Sequence, residues 1–227
     1  MSALARAILV LTLAVAVVDW IAVGVAASKK SRAVEYVAKP ATMVFLALFL
    51  VALTWGGPQP RAQVWFFLAA VVLSLAGDVF LMLPRDLFLA GLAAFLLAQV
   101  AYIVGILGFG YVESWSGPAV AWLLLVIAAI PIARAVLGPI EDRVERASVA
   151  LYMVVIGIMV ASAWTLPWRS DFPLVAGLAG ALGATLFFAS DSMIGIRRFV
   201  GDFRGSGLAI IVTYHLGQVG LVLSLAR

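Results

Sequence analysis

Eight apolar runs, each long enough to cross a bilayer, take up nearly the whole of this 227-residue chain. They constrain its fold more than any other feature. A helix needs about 20 predominantly apolar residues to span the hydrocarbon core. The runs lie near 3–27, 36–56, 62–83, 87–110, 118–137, 147–166, 172–194 and 206–226. Between them stand "SKKSR", "GGPQPR", "LPRD", "ESWSGP", "GPIEDRVER", "PWRSDFP" and "RRFVGDFRGSG", the Pro, Gly and charge punctuation that ends helices. Lipid offers no partner to backbone polar groups, so runs of this kind fold as helices. The expected fold is all-α, a single transmembrane domain over 1–227 with about eight spanning helices. No polar stretch is long enough for a soluble domain, so function must reside in the bundle or its short loops.

Composition agrees and narrows the chemistry. The chain is 65% hydrophobic and 11% charged, with a mean hydropathy of +1.17; soluble domains carry about 25% charged residues. It has no cysteine, which removes disulfides and thiolate metal sites. Its single histidine, His215, rules out a multi-histidine zinc centre. The net charge of +4 suits basic loops beside anionic lipid, so the expected partner is the bilayer and not nucleic acid.

The basic residues also predict orientation. Lys29, Lys30, Arg32, Lys39, Arg85, Arg134, Arg143, Arg146, Arg197, Arg198 and Arg204 follow the odd-numbered spans; they are 11 of the 15. Arg6, Arg61, Arg169 and Arg227 belong to the other side. This places both termini on the non-cytoplasmic side of an inner (plasma) membrane. Trp55, Trp65, Trp115, Trp122, Trp164 and Trp168 fall near the opposite, outer ends and read as an aromatic belt.

Against this background the polar residues inside the spans stand out, because an ionisable group in hydrocarbon costs several kcal/mol. Asp78 in "LSLAGDVFLMLP" lies seven residues before Arg85, and Asp191 in "FFASDSMIGIRR" six before Arg197. Both carboxylates therefore sit about 9–10 Å inside the same boundary and are expected to face one cavity. "TYHLGQ" sets His215 and Gln218 three residues apart, on one helical face, with His215 about 16 Å deep. Gln99, Tyr102 and Asp19 add polar groups at intermediate depths. A faint echo links "AGDVFLML" and "LAQVAYIVG" to "ASDSMIGI" and "LGQVGLVLS". Helices four apart share direction, so a duplication would be a parallel repeat. "GLAGALGA" at 177–184 is a stretch of small residues suited to close helix packing.

"KPATMVFLAL", "LAGDVFLMLPRDLFLAGLAAFLLAQVAYI", "GALGATLFFASDSMIGIRRF" and "TYHLGQVGLVLS" resemble, in order and spacing, the YhhN-like or lysoplasmalogenase family of integral membrane proteins. The resemblance implies an eight-helix hydrolase that cleaves the vinyl-ether bond of lysoplasmalogens. The products would be a fatty aldehyde and a glycerophospho-ethanolamine or -choline. By motif, Lys39, Asp78, Asp191, Tyr214 and Gln218 match the family's polar residues. In the fourth helix, where the family often has histidine, this chain has Gln99.

The chemistry needed is compatible with these residues. A vinyl ether hydrolyses when its β-carbon is protonated and water adds to the resulting oxocarbenium ion. Two carboxylates in one apolar cavity divide such work, one protonated and one ionised. Asp78 and Asp191 are thus the candidate catalytic acid and water-orienting base, in an order left open. Lys39, Gln99, Tyr214, His215 and Gln218 are the candidate substrate-binding residues, for a lysophospholipid. No cofactor or metal is required, although two Asp and one His form a thin alternative ligand set. The alternative function is a small-solute or ion transporter or receptor that uses the paired acids for binding or proton relay. A third reading is a scaffold whose polar groups only fix helix register.

Overall fold

The computed structural model describes residues 1–24, 29–109, 112–170 and 172–226, with the side chains of all of these except 29–32. The side chains of Lys29, Lys30 and Arg32, and the whole of Arg227, enter the charge count above but lie outside this description. Eight helices span the described residues: α1 (Ala3–Gly24), α2 (Lys29–Thr54), α3 (Arg61–Met82), α4 (Phe88–Leu107), α5 (Ser116–Leu137), α6 (Arg143–Ala163), α7 (Leu174–Phe199) and α8 (Ser206–Leu223). A 3-10 turn, Leu166–Trp168, joins α6 to α7. All eight helices are long and apolar enough to cross a membrane, and no strand occurs among the described residues. This is an integral, multi-pass helix bundle.

Three helices, α2, α6 and α7, run further than their apolar runs at the end that carries the basic loops. Alpha-helical backbone does not stop where hydrocarbon stops. α2 begins at Lys29 and continues through Pro40. α7 reaches Phe199 and ends on Arg197 and Arg198, where cations favour the helix dipole. α6 starts at Arg143 because the Asp142 carboxylate accepts the Glu145 N–H at 2.7 Å, which satisfies one of the orphan donors of its first turn.

Hydroxyls within the spans bond back onto their own helix, as a medium without water demands. Thr42 donates to the Ala38 carbonyl at 2.9 Å, Ser162 to Ile158 at 2.8 Å and Thr185 to Ala181 at 2.9 Å. The outward face is apolar: Leu123, Leu124 and Ile127 of α5 and Leu151, Val154 and Ile158 of α6 are exposed. Trp55, Trp65, Trp115 and Trp168 are exposed at one end of the bundle, as an aromatic belt requires.

Packing is closest in the pairs α1–α2, α3–α4 and α7–α8, while α4 also rests on α6. α5 stands at the edge, against α6 and α7, with only Pro118 and Val136 buried. The two pairs that hold the internal echo are therefore the two tightest of the second to eighth helices. At the α7–α8 crossing, glycine lets backbone touch backbone. A Cβ on Gly217 would lie 2.8 Å from the Phe187 nitrogen and 2.9 Å from the Gly183 oxygen, and one on Gly183 2.6 Å from the Leu221 nitrogen.

Because backbone cannot yield as a side chain can, Gly217→Ala is expected to destabilise the bundle by about 1–3 kcal/mol. Thermal unfolding in detergent measures it. A midpoint equal to that of the unaltered protein would contradict this account of the crossing.

Candidate active site

The polar groups on α2, α3, α4, α6, α7 and α8 meet as two linked clusters toward the basic end of the bundle. The first is built around Asp78, which is 2% exposed. Its Oδ1 pairs with the Lys39 ammonium at 2.9 Å, and its Oδ2 accepts the Tyr214 hydroxyl at 2.6 Å. Tyr214 is fixed by edge-to-face packing on Phe187 and Phe95, with centroids 5.4 and 6.0 Å away. Its Oη therefore has little choice of direction. A buried charge that is both paired and hydrogen-bonded is the arrangement that hydrocarbon tolerates.

The second cluster surrounds Asp191, which is partly exposed. Tyr152 of α6 donates its hydroxyl to Asp191 Oδ2, and Gln99 Nε2 donates to the Tyr152 oxygen at 3.3 Å. No ion pair reaches Asp191 among the described residues. Asp78 and Lys39 nevertheless lie within electrostatic range of it, so the two clusters feel one another's charge.

Two cavities meet these clusters. A narrow slot of about 60 Å³ runs between α4, α5, α6 and α7, lined almost wholly by apolar side chains, with Asp191 and Tyr152 as its polar edge. A wider vestibule of about 870 Å³ opens at the basic end, with Lys39, Glu35, Arg197 and Arg198 among its walls. Leu81, Phe88 and Ile194 line both. The partition is held by Arg198, whose guanidinium lies 3.9 Å from the centre of the Phe88 ring and donates to Asp86 at 3.1 Å and Glu145 at 3.2 Å. Those Arg198 hydrogen bonds keep the Asp86 carboxyl, in the α3–α4 connection, below its ordinary carboxylate range.

The sequence expectation of two acids facing one cavity takes a different form in space. Asp191 edges the slot, whereas Asp78 is enclosed behind Lys39 and Tyr214, and Lys39 is the member of its pair that reaches the vestibule. Gln99 reaches Asp191 only through Tyr152. Gln218 turns to the Tyr102 hydroxyl, 2.5 Å away. His215 shares a helix face with Gln218 but bonds elsewhere, its Nδ1 accepting the Trp20 indole N–H at 3.1 Å. A ring whose Nδ1 accepts carries its proton on Nε2, and that Nε2 has no partner among the described residues. Asp19, on α1, is fully buried with neither oxygen hydrogen-bonded among the described residues, within electrostatic range of Lys39, Glu35 and Asp78. Among the described residues no three His, Asp or Glu side chains converge as ligands for a metal ion.

Sequence reasoning passed over Tyr152 and Trp20, both of which hold candidate site residues. Each had one legible mark, a polar tip inside an apolar span, where a hydroxyl or indole N–H must find a partner.

Residues 34–225 match the YhhN family. The chain belongs to that family. The match begins inside α2, so Asp19 and Trp20 of α1 lie outside it. "Lysoplasmalogenase" of Mycobacterium bovis is 31% identical over 187 residues, 80% of this chain and 67% of its own length. "Lysoplasmalogenase TMEM86B" of Mus musculus is 29% identical over 79% of this chain and 72% of its own. A membrane protein YhhN of Escherichia coli O6:H1 is 26% identical over 84% and 86%. No solved structure matches the chain. The resemblance carried by the stretches around "GDVFLM" and "FFASD" is thereby confirmed, and Asp78, Asp191, Tyr214 and Gln218 lie inside the matched span. This YhhN family member has both its slot and its vestibule within that span, apart from the α1 residues Ala22 and Val23 of the vestibule wall.

Proposed function

We propose that this protein hydrolyses the vinyl-ether bond of a lysoplasmalogen, giving a fatty aldehyde and a glycerophospho-ethanolamine or -choline. The observation that carries the proposal is the junction of an apolar slot and a charged vestibule, with one carboxyl group on the slot side and one ammonium on the vestibule side. A single-chain lipid has the same division, and its ether oxygen lies where chain and headgroup meet. The relatives named lysoplasmalogenase support the same substrate class. The slot is small, about 60 Å³, and α5, with just two buried residues, is the wall that can give way to admit a single chain.

In this reading Asp191 is the acid. Protonated and oriented by Tyr152, it gives its proton to the β-carbon of the vinyl ether, whose π electrons form the new C–H bond. The oxocarbenium ion that results lies against the carboxylate just formed, which opposes its charge. Water adds to the carbon bearing oxygen and returns a proton to Asp191. The hemiacetal then collapses to aldehyde and alcohol. Asp78 acts through Lys39: it anchors the ammonium at the vestibule floor, where Lys39 gives a proton to the glycerol oxygen as the C–O bond breaks and regains one from the hemiacetal hydroxyl that becomes the aldehyde carbonyl. Every proton is returned, and no cofactor enters.

The test is hydrolysis of a purified lysoplasmalogen in H₂¹⁸O by the detergent-solubilised protein, with and without EDTA. Aldehyde release that survives EDTA, with the glycerol product keeping its original oxygen, is the expected result. No aldehyde, or ¹⁸O in the glycerol product, would sink the vinyl-ether reading. Loss of activity with EDTA would overturn metal-free carboxylate catalysis.

A further inference from the structure

The vestibule contains more charge than catalysis uses. Lys39 is committed to Asp78, and Arg198 to Asp86, Glu145 and the Phe88 ring. Two charged side chains of its wall remain loosely held or unheld. Arg197, half-exposed in the last turn of α7, has one ion pair among the described residues, from Nε to Asp202 at a long 3.8 Å. Its guanidinium lies beside Gly207, where an added Cβ would be 3.8 Å from Nη1. It therefore points along the first turn of α8. The nearby Asp202 oxygen is already engaged by the Ser206 hydroxyl and the Phe203 N–H, at 2.5 and 2.9 Å. Glu35, on α2 one turn before Lys39, is partly buried and makes no hydrogen bond or ion pair among the described residues.

Among the described residues, a guanidinium with free donors and a carboxylate with free acceptors thus share one cavity of about 870 Å³, with Lys39 also in its wall. A zwitterion carrying both a phosphodiester and an ammonium would satisfy both.

We infer that the vestibule is a headgroup subsite in which Arg197 binds the phosphate and Glu35 the primary ammonium of a glycerophosphoethanolamine unit. The inference rests on the lysoplasmalogen reading and adds a preference to it. Guanidinium donates two parallel N–H bonds to phosphate oxygens, a geometry that lysine lacks. A primary ammonium offers Glu35 three N–H donors, whereas a trimethylammonium offers none. Among the described residues no cage of aromatic side chains, the usual host of a quaternary ammonium, surrounds the vestibule: its aromatic members are Tyr36, whose hydroxyl is spent on the Met82 carbonyl at 2.6 Å, and Phe88, covered by Arg198. The site thus favours ethanolamine over choline.

Three substrates separate the contributions: the alkenyl lysolipid with ethanolamine, with choline, and as the bare alkenylglycerol without phosphate. Charge-assisted hydrogen bonds of this kind are worth about tenfold or more in affinity. Arg197→Gln is expected to raise KM for both phospholipids by at least about that factor and to leave the alkenylglycerol unchanged. Glu35→Gln is expected to abolish the preference for ethanolamine and to leave the choline lipid unaffected. Binding of non-hydrolysable lysophosphatidylethanolamine, followed by calorimetry, must weaken in parallel in Arg197→Gln, with free glycerophosphoethanolamine competing and inorganic phosphate alone competing far less. Equal losses on all three substrates, or unchanged lysophosphatidylethanolamine binding in both variants, would overturn the subsite. If the protein bound this lipid through Arg197 but hydrolysed none of the three, the subsite would stand and the hydrolase reading would fall.

Discussion

Asp191→Asn is expected to lower aldehyde release by about 10²–10⁴-fold, the usual worth of a positioned acid, in a protein that still folds. Asparagine keeps the shape of the side chain and can still accept the Tyr152 hydroxyl, so the Gln99–Tyr152 arm survives. No cation pairs with Asp191 among the described residues, so neutralising it strands no buried charge. Asparagine does remove the proton that must reach carbon. Tyr152→Phe should fall between the two, by about tenfold, the loss of one hydrogen bond that orients the acid. Aldehyde release measures the rate, and circular dichroism with thermal unfolding checks the fold. Near-normal turnover in folded Asp191→Asn would move the proton donor to another group.

How much of this was legible in the sequence differs between the spans and the site. The eight helices follow from hydropathy because each carries its signal within its own residues. Their ends at the basic side do not, since Lys29 to Val34 or Arg197 to Phe199 is helical without being apolar. The start of α6 did have a readable sign, Asp142 three residues before Glu145 ahead of an apolar run, which is a capping pattern. The site was half legible. Asp78 and Asp191 announce themselves by being charged where charge is expensive, and their common depth follows from helix rise alone. Rotation about the helix axis does not. Whether Asp78 faces a cavity or Lys39 is set by how α2, α3 and α8 dock. The same docking turns Gln218 to Tyr102 and His215 to Trp20, although the two residues share a face. Lys39, read from its neighbours as part of a basic loop, belongs to helix α2 and to the interior.

The Lys39–Asp78 pair yields the largest expected effect on stability. Lys39→Met leaves the Asp78 carboxylate 2% exposed with, among the described residues, only the Tyr214 hydroxyl as partner, and removing one member of a buried pair costs about 3–5 kcal/mol. Asp78→Leu should cost less. Lys39 is 15% exposed at the vestibule, and its flexible stem can carry the ammonium outward to solvent. The double variant, Lys39→Met with Asp78→Leu, removes both charges together, and buried pairs replaced by apolar residues of similar size are often neutral in stability. One loss remains, because the Tyr214 hydroxyl keeps its place without an acceptor, at about 1–3 kcal/mol. The double variant is therefore expected to be more stable than Lys39→Met alone and somewhat less stable than the parent. All three should lack hydrolytic activity. Chemical unfolding in detergent of the parent, both single variants and the double variant closes the cycle. A double variant as unstable as Lys39→Met would mean that the pair is held by something other than its own charges. A double variant that regained turnover along with stability would show that Lys39 and Asp78 shape the bundle and take no part in the reaction.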